Sequence, residues 1–227
     1  MRWWRKGYLS STGTCFDIGN TTRTALTAFE QTGQPYCGPT DPRSAGNGSI
    51  MRLAPVPMFY ARQPEDAIEK AADSSRTTHG AQTAVDACRY LAGLIVGALH
   101  GSSKEELTAP GFSPLPGLWE RQPLSAEISE IARGSFRRRN PPELRSMGHV
   151  VRTLEAALWA FHQTDNFHAG CLRVVNLGDD ADTTGGVFGQ VAGAYYGERG
   201  IPSEWRTRLH AHDMIASLAY RLYQQQV

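Results

Sequence analysis

Apolar residues recur along this chain with the period of a helix and almost never with that of a strand, which points to an all-α fold. Cys88, Leu91, Ala92, Ile95 and Leu99 fall at i, i+3, i+4, i+7 and i+11, one stripe of an amphipathic helix. Val150, Val151, Leu154, Ala157, Leu158 and Phe161 form a second stripe, and Ile215, Leu218 and Leu222 a third. Shorter helices are expected over 22–32, closed by Gly33, over 65–73, opened by Pro64, and over 125–133, ending at Gly134. The valine-rich run 172–177 is the one strand candidate, and it has no partner. The proline- and glycine-rich stretch 110–123 reads as a loop. The helices flanking it carry one-sided stripes that must cover each other, so one domain over 1–227 is expected.

Composition excludes several classes of function. Lys and Arg total 23 against 22 Asp and Glu, a net charge of +1, so nothing favours a polyanion; no nucleic-acid partner is expected. The basic run Arg137, Arg138 and Arg139 reads as a solvated loop. The uncharged apolar stretch 90–99 is half of what a membrane span needs, so no membrane partner is expected either. Cys15, Cys37, Cys88 and Cys171 are scattered with no CxxC pair, which disfavours zinc. With no signal-peptide core at the N-terminus, a cytoplasmic protein with reduced thiols is expected. Neither GxSxG nor HExxH occurs, which disfavours serine-hydrolase and zinc-hydrolase chemistry.

The segment Gly178-Asp179-Asp180-Ala181-Asp182-Thr183-Thr184-Gly185-Gly186 carries the clearest chemistry. Three carboxylates in four positions repel one another at neutral pH unless a cation or water separates them. Asp180, Asp182 and the Thr183 hydroxyl are hard oxygen ligands suited to Mg²⁺ or Mn²⁺. The competing reading is an acidic helix cap. Beyond it, Gly185, Gly189 and Gly193 form a stripe whose cost in a helix calls for close backbone approach to another helix or to a ligand. A second segment, residues 44–52, has the glycines and Asn47 and Ser49 of a phosphate-binding loop, with Arg52 able to add a charge-assisted contact. The competing reading there is a tight turn before a helix. His79 precedes a helix, either facing a cleft or at the surface near a cap.

In order, these segments resemble the ADP-ribosylglycohydrolase family, the group of dinitrogenase-reductase-activating glycohydrolase. The matching stretches are Gly13 to Gly19, Gly46 to Pro55, Thr78-His79, and Gly178 to Thr183 continuing through Gly189 to Gly197. The resemblance implies a compact orthogonal helical domain with two Mg²⁺ or Mn²⁺ ions in a cleft. It implies a hydrolase that removes ADP-ribose from protein side chains or related conjugates, with ADP-ribose or an ADP-ribosylated protein as partner. Asp180, Asp182 and Thr183 would be metal ligands, with Asp179 behind them. Asn47, Gly48 and Ser49 would cradle the diphosphate or ribose, and Gly13 and His79 would line the same cleft. Family members also carry an earlier glutamate and a Thr-Asp-Asp motif. The chain starts downstream of both, so an N-terminally incomplete pattern and impaired turnover are expected. A non-catalytic ADP-ribose-binding or structural relative of the same fold is the alternative.

Overall fold

The computed structural model describes residues 1–225. Its longer helices are α1 (Asn20–Thr32), α2 (Pro64–Arg76), α3 (Gln82–Leu99), α4 (Ala126–Ala132), α5 (Val150–Gln163), α6 (Phe167–Val175), α7 (Ala181–Tyr196) and α8 (His212–Gln224). Short helical turns and loops join them. Among the described residues no strand forms, and the one β-bridge, Gly46 with His149, is isolated. Local chemistry sets the helix ends as expected: Pro64 opens α2, and Gly33 closes α1 in the left-handed region at φ 68°.

α3 is the axis of the molecule, buried from Ala84 to Ala98. A helix apolar on every side must be surrounded, and α2, α4, α5 and α7 pack against it. Two charges survive inside it by pairing: Arg89 donates to Asp86 at 2.7 Å, and Asp86 also accepts from the Ser125 N–H. Gly97 gives the 110–123 stretch its seat, because a Cβ there would lie 2.4 Å from the Phe112 ring. That stretch closes over α3, is held by the Trp119 indole donating to the Phe112 carbonyl, and contains one helical turn, Leu118–Arg121.

Three expectations change on contact with the structure, while the all-α reading of the unpartnered run 172–177 holds. The run 172–177 is no strand: α6 continues to Val175, and Phe167, Gly170 and Val174 point inward at helical spacing while Leu172 stays exposed. The basic run is no solvated loop. Arg137 donates to the Thr108 carbonyl, and Arg139 pairs with Glu130 and with buried Glu155, which also accepts from Ser135. The glycine stripe of α7 makes a close helix contact only at its first member: a Cβ on Gly185 would lie 3.0 Å from Val175 of α6, while one at Gly189 or Gly193 would meet nothing within 4 Å. Nothing in the structure explains those two glycines. Finally, α8 forms but buries none of its residues, and Ile215 and Leu218 remain exposed. No described helix is long and apolar enough to cross a membrane.

Candidate functional site

A cleft of about 400 Å³ opens where α1 and α7 begin. Its walls are residues 17–22, Gly46, Asn47, Gly48, Met51, His79, Gly148, Asp180 and Thr183. Five residues singled out in the sequence, Asn47, Gly48, His79, Asp180 and Thr183, thus meet from distant parts of the chain. Three others do not line it. Gly13 sits in an exposed turn at φ 75°. The Ser49 hydroxyl faces the core, 2.9 Å from the Ser75 hydroxyl. Asp182 is exposed in the first turn of α7.

Asp180 is held from both sides. It is the N-cap residue of α7, yet its carboxylate makes no capping bond. Instead Oδ2 accepts from the Asn47 amide at 2.6 Å. Its main-chain carbonyl accepts from the Ser146 hydroxyl at 2.7 Å and the Thr184 hydroxyl at 2.9 Å, both buried. The Asn47 amide also donates to Thr153 at 2.8 Å, and Thr153 donates on to the Met147 carbonyl. Both amide hydrogens of Asn47 are therefore spent on the protein. The loop itself is stitched to the start of α5 by Asn47 N–H to the Gly148 carbonyl and Val150 N–H to the Ala45 carbonyl. Sequence reasoning missed Ser146 and Thr153, because nothing local marks a hydroxyl whose partner lies tens of residues away. It included Thr184 without showing that its hydroxyl turns back onto Asp180 four residues earlier.

This arrangement leaves specific groups free. Asp180 Oδ1 and the Asp182 carboxylate take no hydrogen-bond or ion-pair partner among the described residues. The Thr183 hydroxyl has only a 3.8 Å contact with the Met51 sulfur. Asp179 stands beside them at φ 51°, an unfavourable angle that short polar side chains tolerate best. Asp180 and Thr183 thus bring hard oxygens, the donor type a Mg²⁺ or Mn²⁺ ion takes, to the cleft, with Asp182 exposed beside them in the first turn of α7. Among the described residues no three His, Cys, Asp or Glu side chains are arranged so that they alone could hold a metal ion.

Lining the same cleft, α1 presents an uncapped N-terminus. Its N-cap is Gly19, no side chain bonds its first turn, and no acidic residue stands there. Free N–H groups and the helix dipole favour an anion at such a place. Asp17, unremarked in the sequence, lines the same wall at φ 48°, backbone strain that the fold sustains at the cleft mouth.

His79 is the most enclosed member, 2% exposed. Burial first, and the Arg52 charge second, push its imidazole pKa down to about 4. Gly46 and Gly48 flank its ring: a Cβ on Gly48 would sit 2.8 Å from Cε1, so only glycine leaves the imidazole edge open. Arg52 turns away from the cleft, donating to the Gly48 carbonyl at 2.9 Å and to Thr78 at 2.6 Å. The guanidinium braces the loop, in place of the direct phosphate contact expected from the sequence.

The ADP-ribosylglycohydrolase family profile matches residues 1–227. An ADP-ribosylarginine hydrolase of Serratia proteamaculans is 39% identical over 98% of this chain and 58% of its own length. One from Pseudomonas putida is 40% identical with the same coverage. An ADP-ribosyl-(dinitrogen reductase) glycohydrolase of Rhodospirillum rubrum is 28% identical over 85% of this chain and 60% of its own. The chain therefore spans somewhat over half the length of these relatives. A solved ADP-ribosylglycohydrolase-related protein complex superposes with a TM-score of 0.82 at 40% identity, covering 92% of this chain and 70% of that one.

Proposed function

The chain belongs to the ADP-ribosylglycohydrolase family, and from that premise we propose that it removes ADP-ribose from ADP-ribosylated side chains or related conjugates by metal-assisted hydrolysis. One observation carries the reading. A single cleft joins an anion-favouring helix start and a glycine loop to the Asp180 carboxylate and Thr183 hydroxyl. The first group of features suits a diphosphate, the second a divalent cation.

The chain's own residues divide the work. The first-turn N–H groups of α1 and the Gly48 N–H, unpaired among the described residues, bind the diphosphate oxygens. Asn47 serves from behind, aiming the Asp180 carboxylate. Asp180, Asp182 and Thr183 would hold Mg²⁺ or Mn²⁺, since their free oxygens are hard donors. When bound, such an ion supplies positive charge that polarises ligand oxygens and acidifies a water. Asp17 lines the same cleft, and its carboxylate would suit a proton-bearing group of the leaving side chain. Both curated relatives named for ADP-ribosylarginine make that conjugate the first substrate to try.

The test is release of ADP-ribose from an arginine-modified protein, with and without Mn²⁺, by the wild-type chain and Asp180→Ala. Metal-dependent release that disappears in the variant is expected. No release from a folded chain overturns the hydrolase reading. ADP-ribose binding without release would establish the alternative, a non-catalytic ADP-ribose-binding relative.

A further inference from the structure

The buried His79 has one side already committed. Its Nδ1 lies 2.8 Å from the Thr78 hydroxyl, and that hydroxyl lies 2.6 Å from an Arg52 guanidinium nitrogen. A guanidinium only donates, so Thr78 Oγ accepts from Arg52 and keeps its own hydrogen to give. Thr78 is 6% exposed, and among the described residues Nδ1 of His79 is the only acceptor its hydroxyl reaches. If Nδ1 carried the proton, a buried hydroxyl hydrogen would go unpaired, at a cost of about 1–3 kcal/mol. Nδ1 therefore accepts and Nε2 carries the hydrogen. The main chain is fixed as well: the His79 N–H donates to the Ser75 carbonyl at 2.7 Å, and the Ser75 hydroxyl donates to the His79 carbonyl at 2.9 Å.

The other edge of the ring is unspent. Nε2 would lie 3.4 Å from a Cβ on Gly46 and 3.1 Å from one on Gly48, so it emerges between the two glycines into the cleft. It meets no hydrogen-bond acceptor among the described residues. A side chain more than nine-tenths buried thus aims one unpartnered donor into the space faced by the uncapped start of α1.

We propose that Arg52 and Thr78 are positioning residues that lock His79 in its Nε2–H tautomer, so that a neutral imidazole presents one hydrogen-bond donor to a diphosphate oxygen of the bound ADP-ribosyl group. The ligand half of this statement rests on the function proposed above; the tautomer half does not. The arrangement gives the anion a donor whose hydrogen is already oriented before the ligand arrives. The bulk of Arg52's charge is spent on the loop carbonyl and Thr78, so it acts on the ligand through His79.

The experiment reads the tautomer directly. The full chain, ¹⁵N-labelled at histidine, gives long-range proton–nitrogen correlations at neutral pH, with the His79 signals assigned by their loss in His79→Asn. Wild-type protein is expected to show Nε2–H alone, and Thr78→Val a mixture of tautomers. ADP-ribose, titrated by calorimetry, is expected to bind Thr78→Val about ten-fold more weakly. Thr78→Ser, which keeps the hydroxyl, should restore both tautomer and affinity, an outcome a purely structural role for the methyl group would not give. An Nδ1–H tautomer or an imidazolium in the wild-type chain overturns the proposal without any variant having to fold. So does a Thr78→Val spectrum and affinity unchanged from wild type. A wild-type chain that shows Nε2–H but binds no ADP-ribose overturns the ADP-ribosyl reading and the ligand half, leaving the tautomer lock standing.

Discussion

Replacing Asn47 with alanine removes the cross-brace between the glycine loop, α5 and α7, and its cost can be worked from two bonds. The amide donates to the Asp180 carboxylate at 2.6 Å and to Thr153 at 2.8 Å. A bond to a charged group contributes about 1.5–3 kcal/mol and a neutral one about 1 kcal/mol. Asp180 is half-buried, so solvent recovers part of the first loss, and about 2–3 kcal/mol is expected in total. For a chain of this size each kcal/mol moves Tm by about 2–4 °C, giving a fall of roughly 5–10 °C in metal-free protein. Denaturant unfolding of wild type, Asn47→Ala, Asp180→Ala and the double variant isolates the bond. With Asp180 gone, Asn47→Ala should cost at least about 1 kcal/mol less than in wild type. Additivity within about 0.5 kcal/mol would refute the reasoning, because it would mean that Asn47 does not hold Asp180 in solution.

Two further outcomes follow from the same structure. His79 is held near pKa 4 in the folded chain and rises toward 6.5 on unfolding. The unfolded state therefore binds the proton first, and stability present above pH 6.5 is lost as pH falls toward 4. Between pH 8 and pH 5 that amounts to about 2 kcal/mol, and urea titrations should show the loss in wild type but not in His79→Asn; equal losses would contradict it. Gly170→Ala would place a Cβ 2.4 Å from the ring of Phe188, which is fully buried and has no room to yield. Overpacking of this kind costs about 1–3 kcal/mol, so an unchanged Tm would show the α6–α7 contact to be looser than described.

Whatever depends on local spacing was legible in the sequence, and whatever depends on distant partners was not. The stripes beginning at Cys88 and Val150 became α3 and α5, and Gly33 capped α1, because periodicity and left-handed caps are local properties. The run 172–177 has no strand partner and most of it belongs to α6, but contiguous apolar residues do not reveal which of them face inward. Arg137 and Arg139 looked solvated because Thr108 and Glu155, the groups that receive them, lie far off in the chain. The cleft shows the same division. Gly46, Asn47, Gly48, Asp180 and Thr183 stood out by residue type and do share a wall. Asp17 did not stand out, since its strained backbone appears only in three dimensions. The roles of Asn47 and Arg52 are likewise set by partners more than twenty residues away, and both face inward as braces.

The central claim is that this cleft takes an ADP-ribosyl group beside a divalent cation held at Asp180 and Asp182. Calorimetric titration of the chain with ADP-ribose, with and without Mg²⁺ or Mn²⁺, tests it most directly when run beside a variant carrying Asp180→Ala and Asp182→Ala. Binding that strengthens with metal, and loses that dependence in the folded variant, is the predicted result. No binding by a folded wild-type chain under any metal condition would contradict it.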